Sequence, residues 1–392
     1  MLNLSAIGKV IFMLVIIGVM FFYYGNKILQ FLKAIFTKVN RKVYIIIYVV
    51  IVVLMIGGTA SSITSMPTIL KVILRNISSF IMGVFVYSLI LFIITDIILM
   101  IGKILKLVHK PIVNKVYLIS SLIVMGLTLC INIYGVINGN IIKNKSYNVK
   151  ISNNTDKKET KMNIVLISDM HLGAVKSENR IGSIVDKING LNPDIVCIAG
   201  DIFDNDYNAI YNPQKVISEL KKIKSTYGVY ACLGNHDTGN TVGKMIDCLK
   251  KSDIKLLNED YEVIDNRLIL IGRLDSALTY GKVNLYRENT SELIKKITNK
   301  EGKFPIVVMD HNPIHINDYG KDVDLILSGH THRGQIFPGS LVTKNIYEVD
   351  YGCYQKNDDY PHVVVTSGVG MWGLAMRVGT DSEIINIRCR LE

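Results

Sequence analysis

The sequence predicts a membrane region of four helices followed by an α/β domain in which helices cover two packed sheets. Long apolar runs fill the chain before residue 138, and short apolar strands alternate with helical stretches after residue 163. The balance of basic and acidic residues also differs between the two parts of the chain. Residues 1–150 hold 15 Lys or Arg and one acidic residue, whereas the remainder holds 29 basic and 32 acidic residues. The formal net charge of +11 therefore comes from the membrane region.

Four apolar runs are long enough to cross a bilayer. Each has about 18 to 25 residues, and a helix of that length covers a hydrocarbon core of about 30 Å. Buried helices of a soluble core would instead show polar faces, which these runs lack. We therefore predict a transmembrane region over residues 1–138, with helices at about 7–24, 43–65, 77–101 and 116–137.

The short loops between these runs predict the orientation of the chain. The first and third loops are rich in Lys and Arg, but the second contains only Lys71 and Arg75. By the positive-inside rule the first and third loops face the cytoplasm, so both termini lie outside. Lys143, Lys145 and Lys150 favour the opposite orientation, but long domains cross membranes largely regardless of charge. We expect a multi-pass membrane protein whose C-terminal domain is extracytoplasmic.

Asp96 is the only acidic residue in the predicted membrane region. A carboxyl group at such depth either belongs to an ion or proton path or makes a hydrogen bond between helices. We favour the hydrogen bond, with Asn132 of the fourth span as the partner. Small residues over 57–62 are expected to serve close helix packing.

Residues 139–162 are polar and predict a linker, which leaves residues 163–392 as the second domain. Helices are predicted at 181–190, 213–224 and 242–251, and strands at 164–167, 195–199, 229–233, 261–264, 268–271, 306–309, 325–327, 363–366 and 384–388. Strand-helix units followed by strand-rich sequence indicate two packed sheets with helices outside.

Metal-ligand side chains follow five of these strands. The five motifs are Asp169-x-His171, Gly200-Asp201-x-x-Asp204, Gly234-Asn235-His236-Asp237, His311 and Gly329-His330-Thr331-His332. Because ligands of α/β sheets collect beyond the carboxyl ends of strands, these loops are expected to converge. Any single motif is more often a helix cap or a turn, but five in order make coincidence improbable.

Aspartate, asparagine and histidine ligands without a thiolate suit divalent manganese, iron or zinc. Seven ligands are too many for one ion. A shared carboxylate can hold two ions about 3.5 to 4 Å apart, which activates a bridging water and clamps a phosphoryl group. The expected chemistry is hydrolysis of a phosphoester.

The five motifs together resemble, in order, those of the calcineurin-like metallophosphoesterase superfamily. The resemblance covers about residues 163–390 and nothing before them. It implies a four-layer α-β-β-α sandwich of two mixed sheets.

The resemblance also implies a role for each motif residue. One ion would be held by Asp169, His171, Asp201 and His332, and the second by Asp201, Asn235, His311 and His330. Asp201 would bridge the two ions. His236 would stabilise the developing phosphoryl charge or protonate the leaving oxygen, and Asp204 and Asp237 would orient neighbouring side chains.

Residues 328–338, with His311 and its neighbours, are similar to bacterial membrane-associated members of this superfamily. Arg333 and Arg273 are candidate phosphate contacts, although Arg333 is as well explained by a solvated surface position. The loop 368–379 carries the only tryptophan, Trp372, and suits either contact with lipid or core packing.

These observations predict a di-metal phosphodiesterase or pyrophosphatase in the bacterial cell membrane, in which a metal-bridging hydroxide attacks an envelope or lipid-linked phosphoester. The alternative is a catalytically silent membrane sensor or partner-binding protein. A nuclease is a third hypothesis. It is disfavoured because binding of a phosphate backbone uses clustered basic residues, and the second domain is slightly acidic.

Overall fold

The computed structural model describes residues 4–60, 66–107, 113–151, 160–173, 177–280, 286–302 and 304–391. The chain divides into two compact units. One consists mainly of residues 1–134 and the other mainly of residues 135–392.

The membrane unit is built from α1 (Leu4–Ile35), α2 (Arg41–Ala60), α3 (Thr68–Ile104) and α4 (Val113–Asn140). All four helices are long and apolar enough to cross a bilayer, as predicted. Helix α1 continues past the predicted end at residue 24, so Lys27 and Lys33 lie on the helix and not in a loop. The last residues of the predicted second span, 61–65, lie outside the described residues.

Asp96 joins two helices of this unit, although its partners differ from the predicted one. Its carboxylate accepts a hydrogen bond of 2.8 Å from the Tyr23 hydroxyl, and Lys27 Nζ lies 2.5 Å away. Asn132 instead donates to the Thr128 carbonyl of its own helix. An ion pair lowers the cost of a carboxylate in the membrane more than an amide partner does.

Close helix packing is observed at one of the predicted small residues. A Cβ on Gly58 would overlap Ser78 of α3, so only glycine lets α2 approach this closely. Gly57 has no such neighbour, and Ser61 and Ser62 lie outside the described residues.

The second unit contains two six-stranded mixed sheets. Their strand orders are β1-β12-β2-β3-β4-β5 and β10-β11-β9-β8-β7-β6. The strands are β1 (Ile142–Ile151), β2 (Thr160–Ile167), β3 (Ile195–Ala199), β4 (Val229–Cys232), β5 (Lys255–Leu256), β6 (Asp260–Ile264), β7 (Leu268–Gly272), β8 (Ile306–Met309), β9 (Leu325–Ser328), β10 (Gly352–Tyr354), β11 (His362–Val365) and β12 (Ser382–Leu391). Strands β2 to β5 are parallel neighbours, as are β7, β8, β9 and β11.

Helices cover the outer faces of both sheets. The helices of this unit are α5 (Ile181–Asn189), α6 (Pro213–Leu220), α7 (Val242–Lys251), α8 (Thr290–Glu301) and α9 (Gly339–Ile346). The buried residues of α5, α6 and α7 pack on the first sheet, and those of α8 pack on the second. A third apolar cluster fills the space between the sheets. This arrangement is the expected four-layer sandwich, because parallel strands with two buried faces need cover on both sides.

The predicted linker contains a strand. Residues 142–151 form β1, which pairs in parallel with β12 along its whole length. Val149 and Ile151 point into the core between the sheets, whereas the alternate positions are polar and mostly exposed. This strand is difficult to predict from the sequence, because its outward residues are Lys and Asn, which are typical of loops. The first strand of this unit thus lies within the predicted linker, before residue 163, and residues 152–159 lie outside the described residues.

Substitution of Val149 by aspartate is expected to destabilise this unit by about 3–5 kcal/mol, because it buries a carboxylate without a partner. Val149 is 1% exposed. Urea unfolding of the full chain in detergent, followed by Trp372 fluorescence, measures the change. The neighbouring Asn148→Asp variant is the matched control, since Asn148 is exposed on the same strand. Equal stability of the two variants would show that this segment is a linker.

Candidate metal centre

The five predicted motifs converge where the two sheets meet. Three motifs follow β2, β3 and β4 of the first sheet, and two follow β8 and β9 of the second. All of these strands run parallel within their own sheets, so their carboxyl ends lie on one side. The structure therefore brings together all seven predicted metal ligands.

One ligand cluster consists of Asp169, His171 and His332. His332 Nε2 lies 3.3 Å from Asp169 Oδ1 and 3.1 Å from His171 Nε2. All three side chains are buried. One ligand atom from each lies within 4.8 Å of the others, which is the spacing of donors around a single ion.

The second cluster consists of Asp201, His311 and His330, with Asn235 beside it. His311 Nε2 lies 3.2 Å from Asp201 Oδ2 and 3.3 Å from His330 Nδ1. Asn235 Oδ1 lies 2.7 Å from His330 Nδ1. This cluster holds the four residues that the resemblance assigns to the second ion.

Asp201 links the two clusters. Its Oδ2 lies 3.2 Å from His311 Nε2 in one cluster and 3.8 Å from His171 Nε2 in the other. A carboxylate in this position can bridge two ions. The geometry supports the predicted bridging role.

The donor set fits divalent ions such as manganese, iron or zinc. Carboxylate, amide and imidazole donors are present, and no cysteine belongs to the described clusters. His311 Nδ1 lies 2.8 Å from the Ala199 carbonyl, which fixes a proton on Nδ1 and turns Nε2 toward Asp201. A backbone carbonyl behind a ligand imidazole is the usual support of a metal site.

Burial keeps two of the imidazoles neutral, which is the form that binds a metal. It lowers the pKa of His171 to about 3 and that of His330 to about 4. Burial acts against the ion pair of Asp201 and His311, yet their mutual attraction outweighs it. The pKa of Asp201 is lowered and that of His311 is raised well above its usual value. A divalent cation can replace the proton that this pair shares.

The backbone is unusual at several ligands. Asp169, Asp201 and His330 have φ angles of 53°, 50° and 70°, in the left-handed region that favours glycine. Such conformations cost energy and persist where the surrounding structure enforces them. Two motif glycines make this packing possible: a Cβ on Gly234 would overlap Asp201, and one on Gly329 would overlap Asp169.

His236 lies at the rim of the site. Its side chain is 18% exposed, whereas those of His171 and His311 are fully buried. The Asn205 amide nitrogen lies 2.7 Å from His236 Nδ1. An amide NH₂ group can only donate, so Nδ1 accepts and the ring proton of the neutral imidazole sits on Nε2. In this tautomer the Nε2–H group of His236 can donate a hydrogen bond.

Asp204 and Asp237 support the site in different ways. Asp204 Oδ1 lies 3.6 Å from His236 Nδ1 and 3.8 Å from His171 Nδ1, so it contacts two side chains of the site. Asp237 accepts hydrogen bonds from the backbone N–H groups of Gly234, Ile202 and Phe203. It holds two ligand loops together through their backbones, where the sequence predicted an effect on side chains.

The two predicted phosphate contacts have different positions. Arg273 is 1% exposed; its Nε lies 3.0 Å from Glu259 Oε1, and further hydrogen bonds reach Thr290 and the Glu288 carbonyl. A guanidinium that is buried and hydrogen-bonded to these groups supports the fold, and it is not placed to contact a substrate. Arg333 is partly exposed and stacks on the Tyr351 ring, with 4.3 Å between Cζ and the ring centroid.

Three further residues at the site have no motif in the sequence. The Trp372 ring lies 5.6 Å from that of His236, and the Tyr347 ring lies 6.1 Å from that of His330. Arg377 is fully buried and donates to the carbonyls of Ser367 and Gly370. The loop 368–379 was singled out for its tryptophan, but only the folded chain shows that it reaches the metal ligands.

The sequence of residues 162–334 matches the family of calcineurin-like phosphoesterases. An uncharacterized metallophosphoesterase of Campylobacter jejuni is 33% identical over 273 residues, which cover 68% of this chain and 67% of that protein. One of Aquifex aeolicus is 31% identical over 229 residues, which cover 58% of this chain and 85% of that protein.

A Danio rerio protein named as a transmembrane protein with metallophosphoesterase domain is 29% identical over 237 residues. The match covers 58% of this chain and 52% of that protein. Other curated metallophosphoesterases are matched over 61% of their own length. On these similarities, and with every ligand of the five motifs in place, the chain belongs to the calcineurin-like phosphoesterase family.

Proposed function

We propose that this protein is a membrane-anchored hydrolase that uses two divalent ions to cleave a phosphodiester or pyrophosphate bond of an envelope or lipid-linked substrate. The observation that carries the proposal is the pair of ligand clusters joined by Asp201, with His236 beside them. When bound, two divalent ions supply the positive charge that polarises a phosphoryl group and activates water.

The residues of the chain provide the remaining parts of the reaction. Asp169, His171, Asp201 and His332 would hold one ion, and Asp201, Asn235, His311 and His330 would hold the other. In its imidazolium form His236 can give a proton to a leaving alkoxide or phosphate oxygen, which returns the ring to the neutral imidazole. Asp204 Oδ1 lies 3.6 Å from His236 Nδ1 and helps to hold the ring in place.

The membrane unit supports an envelope location for the substrate. Its four helices are long and apolar enough to fasten the chain to a bilayer, and the basic loops predict that residues 142–391 lie outside the cytoplasm. The compartment outside a bacterial cell membrane contains phosphoesters of envelope lipids. A hydrolase fixed to that surface meets them at high local concentration, which supports a lipid-linked substrate over a soluble one.

The full chain, purified in detergent and loaded with manganese, is expected to hydrolyse bis-p-nitrophenyl phosphate faster than p-nitrophenyl phosphate. The His236→Ala and Asn235→Ala variants should each lose about 100- to 10,000-fold of that activity, because one removes a proton donor and the other a metal ligand. Steady-state kinetics and metal content by mass spectrometry provide the measurements.

The His362→Ala variant is the matched control, since His362 lies on β11 and belongs to no ligand cluster within the described residues. It should keep full activity. If the chain binds two equivalents of manganese and still hydrolyses neither compound nor a lipid-linked diphosphate in mixed micelles, the hydrolase proposal is wrong. The silent sensor would then be the better explanation.

A further inference from the structure

An exposed apolar surface borders the metal centre. We call it the apolar rim and define it by Phe337, Leu341, Val342, Ile346 and Trp372. All five side chains are more than half exposed, at 52% to 58%. Contiguous exposed apolar side chains on a soluble surface mark a site of contact with a partner or a lipid.

Helix α9, which carries three of these side chains, exposes them beside the polar Lys344 and Asn345. Thr343 faces the domain, where its hydroxyl donates to Asp350 Oδ2 at 2.8 Å. Leu341, Val342 and Ile346 point outward, and none of the residues of α9 is buried. A surface helix of a water-soluble protein shows the opposite pattern, with apolar residues inward. Helix α9 therefore fits an apolar environment outside the domain.

The rim is continuous from α9 to Trp372. The Phe337 N–H donates to the Val378 carbonyl at 2.8 Å, which joins the start of this segment to the loop that contains Trp372. The Gln335 side chain binds the backbone of that loop at Trp372. Its Nε2 donates to the Trp372 carbonyl at 2.8 Å, and its Oε1 accepts from the Trp372 N–H at 2.8 Å. The five side chains therefore belong to one supported surface.

The same loop is fastened to the last turn of α4, a candidate membrane span that ends at Asn140. The Arg377 N–H donates to the Gly135 carbonyl at 2.9 Å, and Asn138 Nδ2 donates to the Thr380 carbonyl at 2.8 Å. A Cβ on Gly139 would lie 2.7 Å from Met371 Sδ, so the contact is tight. The loop that carries Trp372 thus contacts the C-terminal end of a candidate membrane span.

We propose that the apolar rim lies in the surface of the bilayer that α4 enters and receives phosphoester lipids directly from it. The occupant is membrane lipid, because the rim is continuous with a loop seated on a membrane span. Trp372 at the membrane interface also suits the preference of tryptophan for that depth. This inference rests on the proposed function for its substrate class, namely an amphiphile whose phosphate reaches His236 while its acyl chains contact the rim.

Trp372 is the only tryptophan in the chain, so its fluorescence reports on the rim alone. The full chain is reconstituted into phosphatidylcholine vesicles whose acyl chains are brominated or unbrominated, and tryptophan emission is excited at a wavelength that avoids tyrosine. We expect brominated lipid to remove most of the Trp372 emission, and aqueous iodide to remove little. This readout needs no turnover, so its failure is distinct from failure of the hydrolase proposal.

The combined Leu341→Ser, Val342→Ser and Ile346→Ser variant should retain two equivalents of manganese but lose much of the quenching by brominated lipid. Its kcat/KM on a vesicle-borne diphosphate lipid should fall at least about tenfold, since the apolar contact of three side chains is lost. Ile246→Ser is the matched control, because Ile246 is an exposed aliphatic residue on α7. It should behave as the unmodified chain.

Two results would overturn the proposal. Emission that iodide quenches and brominated lipid leaves unchanged would place the rim in water. Emission that neither agent quenches would show that protein covers the rim, and chemical cross-linking through α9 would then identify a second copy of the chain.

Discussion

Replacement of Asp201 by asparagine is expected to abolish phosphoesterase activity, with a loss of about 1,000-fold or more. The carboxylate faces both ligand clusters, with Oδ2 3.2 Å from His311 Nε2 and 3.8 Å from His171 Nε2. Asparagine keeps the shape but removes the negative charge and one acceptor, so both ion sites weaken together. Metal content by mass spectrometry and hydrolysis of bis-p-nitrophenyl phosphate test this result.

The Asp204→Asn variant is the control for Asp201→Asn. It removes a nearby negative charge without removing the carboxylate that is predicted to bridge the ions. Asp204 is also close to His171, at 3.8 Å, but it does not face the second cluster. We expect it to keep two equivalents of manganese and to lose only about 10- to 100-fold in activity, as for other residues that support a ligand. Equal metal loss in both variants, or two bound equivalents in Asp201→Asn, would contradict the bridging assignment.

The metal ligands were predictable because each motif is local. A ligand that follows a parallel strand by one to four residues is carried to the same edge of the sheet, whatever the packing elsewhere. The family resemblance then assigned the roles, and the positions of Asp169, Asn235 and His330 agree with it. The membrane helices were predictable for a similar reason, since the length and apolarity of one segment decide whether it can cross a bilayer.

Other features depend on contacts between distant parts of the chain. Strand β1 has an alternating pattern whose outward positions are Lys and Asn, and only pairing with β12 makes it a strand. Arg273 follows a strand end, as the predicted ligands do, but its ion pair with Glu259 holds the side chain inside the domain. The sequence predicts an uncharged amide as the partner of Asp96. Lys27 of α1 is its partner instead, and no pattern within either helix shows that the two side chains meet.

The outward direction of the aliphatic residues of α9 could not be predicted from the sequence either. Residues 339–346 contain aliphatic residues at spacings that suit a buried helix face, and the sequence alone does not say which side meets the domain. The Thr343 hydrogen bond to Asp350 decides it. The aliphatic side chains are thereby directed outward beside the metal centre.

Replacement of Arg377 by methionine is expected to lower the free energy of unfolding by about 3–5 kcal/mol, because several buried carbonyls lose their donor. The guanidinium is fully buried and donates to the Ser367 carbonyl at 2.6 Å and the Gly370 carbonyl at 2.8 Å. Burial lowers its pKa to about 10, so it remains charged at neutral pH. Urea unfolding of the full chain in detergent measures the loss.

The same substitution tests whether the Arg377 side chain supports the metal centre. Arg377 Nη1 lies 3.4 Å from the His332 carbonyl, while its backbone N–H donates to Gly135. We expect Arg377→Met to weaken manganese binding about 10- to 100-fold, because His332 loses the group that holds its backbone. Arg388→Met, at an exposed position of β12, should change neither property. If Arg377→Met lost stability but bound manganese with unchanged affinity, this arginine would support the fold alone.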